Sequence, residues 1–129
     1  GPLGIDERRR AQVVIRRGDI HSVAPNPARG SEADKHQPAV IVSNDAANST
    51  AGRLGRGVIT VVPVTSNVAR VYPFQVLLLA AETGLDRDSK AQAEQVRSIA
   101  VERVGERLGV VPHAVMLDID EALRLHLGL

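Results

Sequence analysis

The stretch Gly30-Ser-Glu-Ala-Asp-Lys-His-Gln-Pro-Ala-Val-Ile-Val-Ser-Asn44 leads from a charged, polar segment into a short apolar run. The run from Ala39 to Val42 is mostly β-branched and follows Pro38, which predicts a buried strand. A second stretch, Val61-Val-Pro-Val-Thr-Ser-Asn67, continues the strongest strand pattern of the chain, residues 58–62. A third, Val71-Tyr-Pro-Phe-Gln-Val76, leads into another predicted strand over residues 74–79. These three blocks favour a mainly β fold.

The segments around these blocks predict the connections. Residues 17–20 lead into a first strand, and the prolines of residues 24–30 indicate a loop, because proline has no N–H for a strand ladder. For the same reason Pro63 is expected at an edge or a bulge. Residues 44–57 are rich in Asn, Ser, Thr, Ala and Gly, which predicts a loop with at most one helical turn, and residues 82–88 predict a turn.

The last third of the chain gives two helical patterns. Between residues 91 and 108, apolar side chains recur at helical spacing among good helix formers, so local rules alone predict an amphipathic helix. Downstream, Pro112 is well placed to start a helix. One apolar face follows it, which predicts a terminal helix of about four turns: Val115, Ile119, Ala122, Leu123 and Leu127.

Composition limits the classes of protein to consider. A chain of 129 residues supports one domain, expected over residues 13–129, with residues 1–12 read as a tag remnant and an N-terminal extension. No cysteine is present, which removes thiol chemistry and fits a reducing cytoplasm. No apolar run is long enough to span a membrane. Residues 46–81 contain Arg53, Arg56 and Arg70 but no acid, which is equally consistent with a patch that attracts RNA and with three solvated loop arginines.

The common sequence motifs of catalytic and cofactor-binding sites are absent. There is no phosphate-binding glycine loop, no dinucleotide fingerprint and no nucleophile elbow. The histidines never fall at metal-ligand spacing, and acidic pairs such as Asp118 and Asp120 are more typical of a solvated helix face. No metal site and no cofactor are predicted. RNA cleavage needs neither, because the ribose 2′-hydroxyl supplies the nucleophile and a cation with a few aimed donors suffices.

The ordered blocks resemble the MazF/PemK family of bacterial toxins across residues 16–129. The blocks that carry the resemblance are Arg17-Gly-Asp-Ile20, Gly30-Ser-Glu32, Pro38 to Asp45, Pro63-Val-Thr-Ser66, Tyr72-Pro-Phe74 and Glu94-Gln-Val-Arg97. The resemblance implies an α+β, mainly β fold, an SH3-like/CcdB-type barrel with a C-terminal helix. It also implies that residues 94–99 form a strand, against the helical periodicity. A strand is therefore expected there, since cross-strand packing overrides propensity.

The same resemblance implies a function and its residues. The expected activity is sequence-specific, metal-independent cleavage of single-stranded RNA by a cytoplasmic homodimer that a cognate antitoxin protein inhibits. Thr65 matches the threonine that assists catalysis, and Gln37 stands where the family carries its catalytic arginine. The expected RNA-contacting residues are Ser31, Glu32, Asn44, Ser66, Gln92, Gln95 and Arg97.

Gln37 bears on how much activity to expect. Glutamine keeps an N–H donor but loses the charge and the two-pronged phosphate geometry of arginine. Removing one preorganised donor from an oxyanion-type site costs about a hundred- to a thousand-fold in rate. The alternatives are therefore an impaired ribonuclease and a barrel that binds antitoxin or RNA without cutting. A gyrase poison of the CcdB type ranks last, because the chain has no tryptophan near its C-terminal end.

Overall fold

Seven strands of one antiparallel sheet make up the centre of the computed structural model, which describes residues 14–26 and 35–129. The strands are β1 (Asp19–Val23), β2 (Gln37–Ile41), β3 (Val58–Thr65), β4 (Gln75–Leu78), β5 (Ser89–Gln92), β6 (Arg97–Ala100) and β7 (Val104–Val110). The α-helices of the described residues are α1 (Asp45–Leu54), α2 (Ala80–Thr83) and α3 (His113–Leu127). Short 3-10 turns, Ala93–Gln95 and Val101–Arg103, flank β6. The predicted class, α+β and mainly β with a C-terminal helix, is confirmed.

Strand β3 organises the sheet. The strand order is β4-β5-β3-β2-β1-β7, with β6 also paired to β3. On one edge β3 pairs with β2, whose last pair is Ala39 with Pro63. On the other edge β6 pairs with residues 58–61 and β5 with residues 64 and 65. Pro63 therefore lies between the part of β3 that pairs with β6 and the part that pairs with β5. Its missing N–H interrupts neither of these two ladders. The sequence predicted an edge or a bulge for Pro63, and this was wrong, because Pro63 lies inside a central strand and pairs with Ala39 of β2.

The central strands are buried on both faces, and successive residues alternate between two apolar clusters. We call the first the pocket-side core: Ile15, Val23, Ala39, Ile41, Ala51, Ile59, Val61, Ile99, Val101 and Val104. We call the second the helix-side core: Ile20, Val40, Val62, Val64, Leu78, Ala91, Val111, Met116 and Ile119. Burial on both faces explains why β2 and β3 appear in the sequence as continuous apolar runs rather than as an alternation.

Helix α1 corrects the sequence prediction. Residues 44–57 were predicted to form a loop with at most one helical turn, and the structure has a helix of ten residues there. The Asn44 side chain caps its first turn by accepting the Ala47 N–H at 2.9 Å. Gly55, with a φ of 67°, ends it and donates its N–H to the Ala51 carbonyl. Inside, Asn48 is fully buried and donates to the Ser43 carbonyl at 2.8 Å. Capping and this buried contact outweigh the poor helix propensity of the segment.

The C-terminal third confirms the predicted helix and part of the predicted strand. Helix α3 spans 15 residues, begins directly after Pro112 and packs Met116, Ile119 and Ala122 into the protein. Of the strand expected over residues 94–99, residues 97–99 lie in strand β6 (97–100), whereas residues 94 and 95 form a 3-10 turn; no α-helix of the kind that the local periodicity suggests is present there. Cross-strand pairing of residues 97–100 with residues 58–61 of β3 overrides that periodicity.

Candidate active site

A pocket of about 330 Å³ opens at one end of the pocket-side core. Its floor includes Ala39 and Val61, which belong to that core. The positively charged residues at the pocket are Lys35, Arg97 and Arg103, and no acidic residue lines it within the described residues. The other lining residues are Val23, Ala24, Pro25, Asn26, Gln37, Pro38, Pro63 and Ser98. A surface of this charge suits an anion.

The pocket brings together Gln37 and Arg97, which are far apart in the sequence. Gln37 is the first residue of β2, pairs with Val23 of β1 and has an exposed side chain. Arg97 is the first residue of β6, pairs with Val61 of β3 and is exposed as well. Because Arg97 forms no ion pair with the described acidic residues, its charge remains available to a ligand.

Thr65 lies next to this pocket without lining it. It is the last residue of β3 and shares a strand face with Val61 and Pro63, which do line the pocket. The ladder between β2 and β3 ends at Ala39 and Pro63. Gln37 lies two residues before Ala39 at the start of β2, and Thr65 lies two residues after Pro63 at the end of β3. The backbone thus directs both predicted catalytic positions to one end of one sheet face.

The Thr65 hydroxyl has a defined hydrogen-bonding role. Its Oγ1 accepts the backbone N–H of Asn67 at 3.3 Å, which forms a tight turn directly after the strand. A hydroxyl that accepts this bond still has its own proton to donate. Thr65 can therefore donate to a phosphate oxygen while the turn fixes its position.

Lys90 is paired with Thr65, and sequence reasoning did not single it out. It pairs with Thr65 across β3 and β5, so the two side chains emerge on the same face. Its side chain is buried, and Nζ donates to the Arg70 carbonyl at 2.6 Å. Nζ also lies 5.9 Å from the centre of the Tyr72 ring. One signal was available: the chain has only two lysines, and the other, Lys35, lines the pocket.

The other predicted RNA-contacting residues are spread over the surface. Asn44 caps α1 at the opposite end of β2 from Gln37, so the structure does not bring it to the pocket. Ser66 is exposed and lines a second pocket, of about 270 Å³, which shares Pro38 with the first. Gln92 ends β5 and is half-buried, whereas Gln95 is exposed in the following 3-10 turn. Ser31 and Glu32 lie outside the described residues.

The described residues contain neither a metal-binding group nor a membrane-spanning helix. Within residues 14–26 and 35–129, no three histidine, aspartate or glutamate side chains come together as a metal-binding group. Over the same ranges, no helix combines the length and the apolar character needed to cross a bilayer.

Comparison with known proteins then decides the family. Residues 16–127 match the family model described as the PemK-like, MazF-like toxin of type II toxin–antitoxin systems. The chain belongs to this family. The match includes Gln37, Thr65 and Arg97, so the pocket and its neighbouring threonine lie within the family domain.

Relatives and solved structures agree with this assignment. The chain is 65% identical over 116 residues to endoribonuclease MazF9 of Mycobacterium tuberculosis, covering 90% of this chain and 98% of that protein. It is 31% identical to endoribonuclease MazF of Staphylococcus epidermidis, covering 90% and 93%. The crystal structure of MazE–MazF from Deinococcus radiodurans superposes with a TM-score of 0.71 at 28% identity, covering 91% and 99%. An endoribonuclease from a mycobacterial species, 24% identical with a TM-score of 0.70 and covering 92% and 95%, shows the same fold. These structures confirm the predicted fold, which is mainly β with a C-terminal helix.

Proposed function

We propose that this protein is a toxin that cleaves single-stranded RNA at specific sequences without a metal, and that the pocket beside Thr65 is its active site. The observation that carries the proposal is the pocket where Gln37 and Arg97 meet, whose described lining includes cations but no acid, on the sheet face that also bears Thr65. The family match and the 65% identity to a protein named an endoribonuclease support the same activity.

The reaction requires three events. The ribose 2′-hydroxyl gives its proton to water as its oxygen attacks the adjacent phosphorus, and a dianionic phosphorane forms. The bond from phosphorus to the 5′-oxygen then breaks, and water returns a proton to that oxygen, which leaves as a hydroxyl. The products are a 2′,3′-cyclic phosphate and a 5′-hydroxyl. Thr65 donates to a phosphate oxygen, while Arg97 and Lys35 stabilise the negative charge that develops on the phosphorane.

Gln37 sets the expected rate. At the mouth of the pocket it offers an amide donor without a charge, so the phosphorane is less stabilised than an arginine at this position would allow. We therefore propose that the enzyme cleaves RNA more slowly than it would with an arginine at position 37.

Partners follow from the family. The solved MazE–MazF structures from Deinococcus radiodurans and the mycobacterial endoribonuclease in complex with its cognate antitoxin show that related toxins bind an antitoxin. We propose that this protein forms a homodimer, binds its own cognate antitoxin and acts on RNA in the bacterial cytoplasm. The antitoxin would cover the pocket, whose positively charged described residues suit an acidic protein segment.

A second candidate function is binding without cleavage. The observation in its favour is again Gln37, because loss of the cationic fork weakens catalysis more than it weakens RNA binding. In that case RNA would bind at the same pocket and remain intact.

The test is to incubate the purified protein with long RNA in a chelator and to map the fragment ends. We expect fragments with 5′-hydroxyl and 2′,3′-cyclic phosphate ends at recurring sequences. Thr65→Val should reduce cleavage about a hundred-fold or more, because it removes one positioned donor. The matched control is Thr50→Val, since the Thr50 hydroxyl donates to the Ala46 carbonyl of its own helix and does not line the pocket.

The outcomes separate the two functions. RNA that binds but stays intact would support the binding module. Cleavage that requires a divalent metal, or that Thr65→Val leaves unchanged, would contradict the proposed active site.

A further inference from the structure

We propose that Arg70 binds a phosphate of the RNA beside Thr65, and that Lys90 is the positioning residue that holds Arg70 in place. Arg70 lies in the loop that joins β3 to β4, residues 66–74, which we call the β3–β4 loop. This inference rests on the proposed function and adds a substrate-binding residue that lies outside the pocket of Gln37 and Arg97.

Lys90 pairs with Thr65 on one side and with Leu77 on the other, at the centre of the three-stranded part of the sheet. Its side chain is 7% exposed, and its ammonium donates to the carbonyl of Arg70. A buried ammonium is costly unless it is bonded, so this contact strongly favours one position of the Arg70 backbone. Arg70 is thereby tied to the strand position that faces Thr65.

Further contacts fix the rest of the loop. The Tyr72 N–H donates to Gln75 Oε1 at 3.1 Å, and Gln75 Nε2 donates to Glu94 Oε2 at 2.7 Å. The rings of Tyr72 and Phe74 stack with centroids 5.4 Å apart and planes inclined by 6°. At the start of the loop, the Asn67 N–H donates a hydrogen bond to Thr65 Oγ1. The loop is therefore preorganised at both ends and in the middle, which lowers the entropic cost of binding a ligand.

Arg70 itself is a cation that no described acid neutralises. Its side chain is exposed, and Nη1 lies 3.5 Å from the Tyr72 hydroxyl. Arg17, Arg107 and Arg124, by contrast, each form an ion pair with an acid. No acidic residue occurs between residues 46 and 81. A guanidinium offers the planar fork that phosphate accepts. Arg70 thus supplies, in the loop that follows Thr65, the kind of charge that Gln37 lacks.

The experiment measures how salt weakens RNA binding. A short mixed-sequence RNA, 2′-O-methylated throughout so that it cannot be cleaved, is labelled with fluorescein and titrated by anisotropy at several salt concentrations. Each phosphate contact on a single strand contributes about 0.7 to the slope of log affinity against log salt. Arg70→Gln should lower the slope by about that amount and weaken binding about ten- to a hundred-fold at low salt. Arg124→Gln on α3 removes the same charge and should leave both unchanged.

Lys90→Met tests the positioning role. Methionine keeps the apolar stem but removes the ammonium, so Arg70 loses its anchor, and the slope should fall as it does for Arg70→Gln. The double variant should show the slope of Arg70→Gln alone, because Lys90 acts through Arg70. Additive losses would overturn the positioning role, since they would mean that Lys90 contacts a phosphate itself.

The only tyrosine of the chain reports on the loop directly. The protein has one tyrosine and no tryptophan, so its intrinsic fluorescence comes from Tyr72. Lys90→Met should raise the collisional quenching of Tyr72 by acrylamide, whereas Arg70→Gln should not. Unchanged quenching in Lys90→Met would contradict the anchoring.

Failure of this inference can be told from failure of the proposed function. If the wild-type protein cleaves RNA and Arg70→Gln leaves the salt slope unchanged, only the inference is overturned. If the wild-type protein neither binds nor cleaves RNA, the proposed function falls and takes the inference with it.

Discussion

The two faces of β2 and β3 are built from alternating residues of the same strands but have opposite surroundings. On the helix-side core, Val40 and Val62 are fully buried, and α3 covers them with Met116 and Ile119. On the pocket-side core, Ala39 and Val61 are also buried, but the cluster ends in an open pocket with exposed Gln37 and Arg97. The period of two in a strand lets one segment hold the fold together and present a polar site.

Because the two faces differ, substitutions on one face should affect stability and substitutions on the other should affect RNA cleavage. Changes on the helix-side core should reduce stability and leave cleavage intact in protein that is still folded. Changes at the open end of the pocket-side core should alter cleavage and leave stability intact, because exposed side chains contribute little to folding.

The largest expected effect is on stability. Ile119→Ala should lower the free energy of unfolding by about 2–5 kcal/mol, because Ile119 is fully buried under the sheet and the change leaves a cavity. Urea unfolding measures the loss. Leu117→Ala on the exposed side of the same helix is the control and should stay within about 0.5 kcal/mol of the wild type. Equal losses of unfolding free energy in the two variants would mean that α3 does not pack on this face of the sheet through Ile119.

The next effect is on catalysis. Gln37→Arg should raise the rate of RNA cleavage about a hundred- to a thousand-fold, because it adds a charged donor at the pocket. Gln37→Lys adds the charge without the planar fork and should fall between the two. Cleavage of a fixed RNA panel gives the rates, and unfolding midpoints should stay close together. Equal rates in all three proteins would remove Gln37 from the site.

A smaller effect should distinguish a helix cap from an RNA contact. Asn44→Ala should lower the free energy of unfolding by about 1 kcal/mol, because it removes the cap of α1. Ser49→Ala, at an exposed position within the same helix, should change it far less. Affinity for the 2′-O-methylated RNA should be unchanged in both variants. A large loss of RNA affinity in Asn44→Ala would restore the RNA-binding role expected from the family.

The smallest effect concerns pH. The pKa of Asp45 lies below its ordinary value of 3.8, first because its carboxylate accepts the Arg17 backbone N–H and then because Asn48 donates to it. A lowered pKa in the folded state stabilises the fold above the unfolded value, and this contribution is lost as the pH falls through the folded value. Asp45→Asn lacks this dependence. Urea unfolding at neutral and acidic pH should show the two proteins converging in acid, and a constant difference would contradict the assignment.

Prediction from sequence succeeded where a strong local pattern agreed with the tertiary fold. The strands around Ala39 and Val58 and the terminal helix after Pro112 are of this kind, since apolar periodicity alone marks their buried faces. Helix α1 was missed because its stability comes from the Asn44 cap and from Asn48 bonded to Ser43, contacts that propensity does not count. Lys90 was missed for a related reason, since only strand pairing sets it beside Thr65.

The sequence by itself determined the strand-rich core, the C-terminal helix and the family resemblance, because these depend on residue order and on spacing along one segment. The tertiary structure alone decided which polar residues meet. Gln37 and Arg97 share a pocket because β2 and β6 both pair with β3, and Lys90 faces Thr65 because β5 takes over where β6 ends. Such juxtapositions come from hydrogen bonds between distant strands, and a one-residue change of register would turn these side chains to the other face.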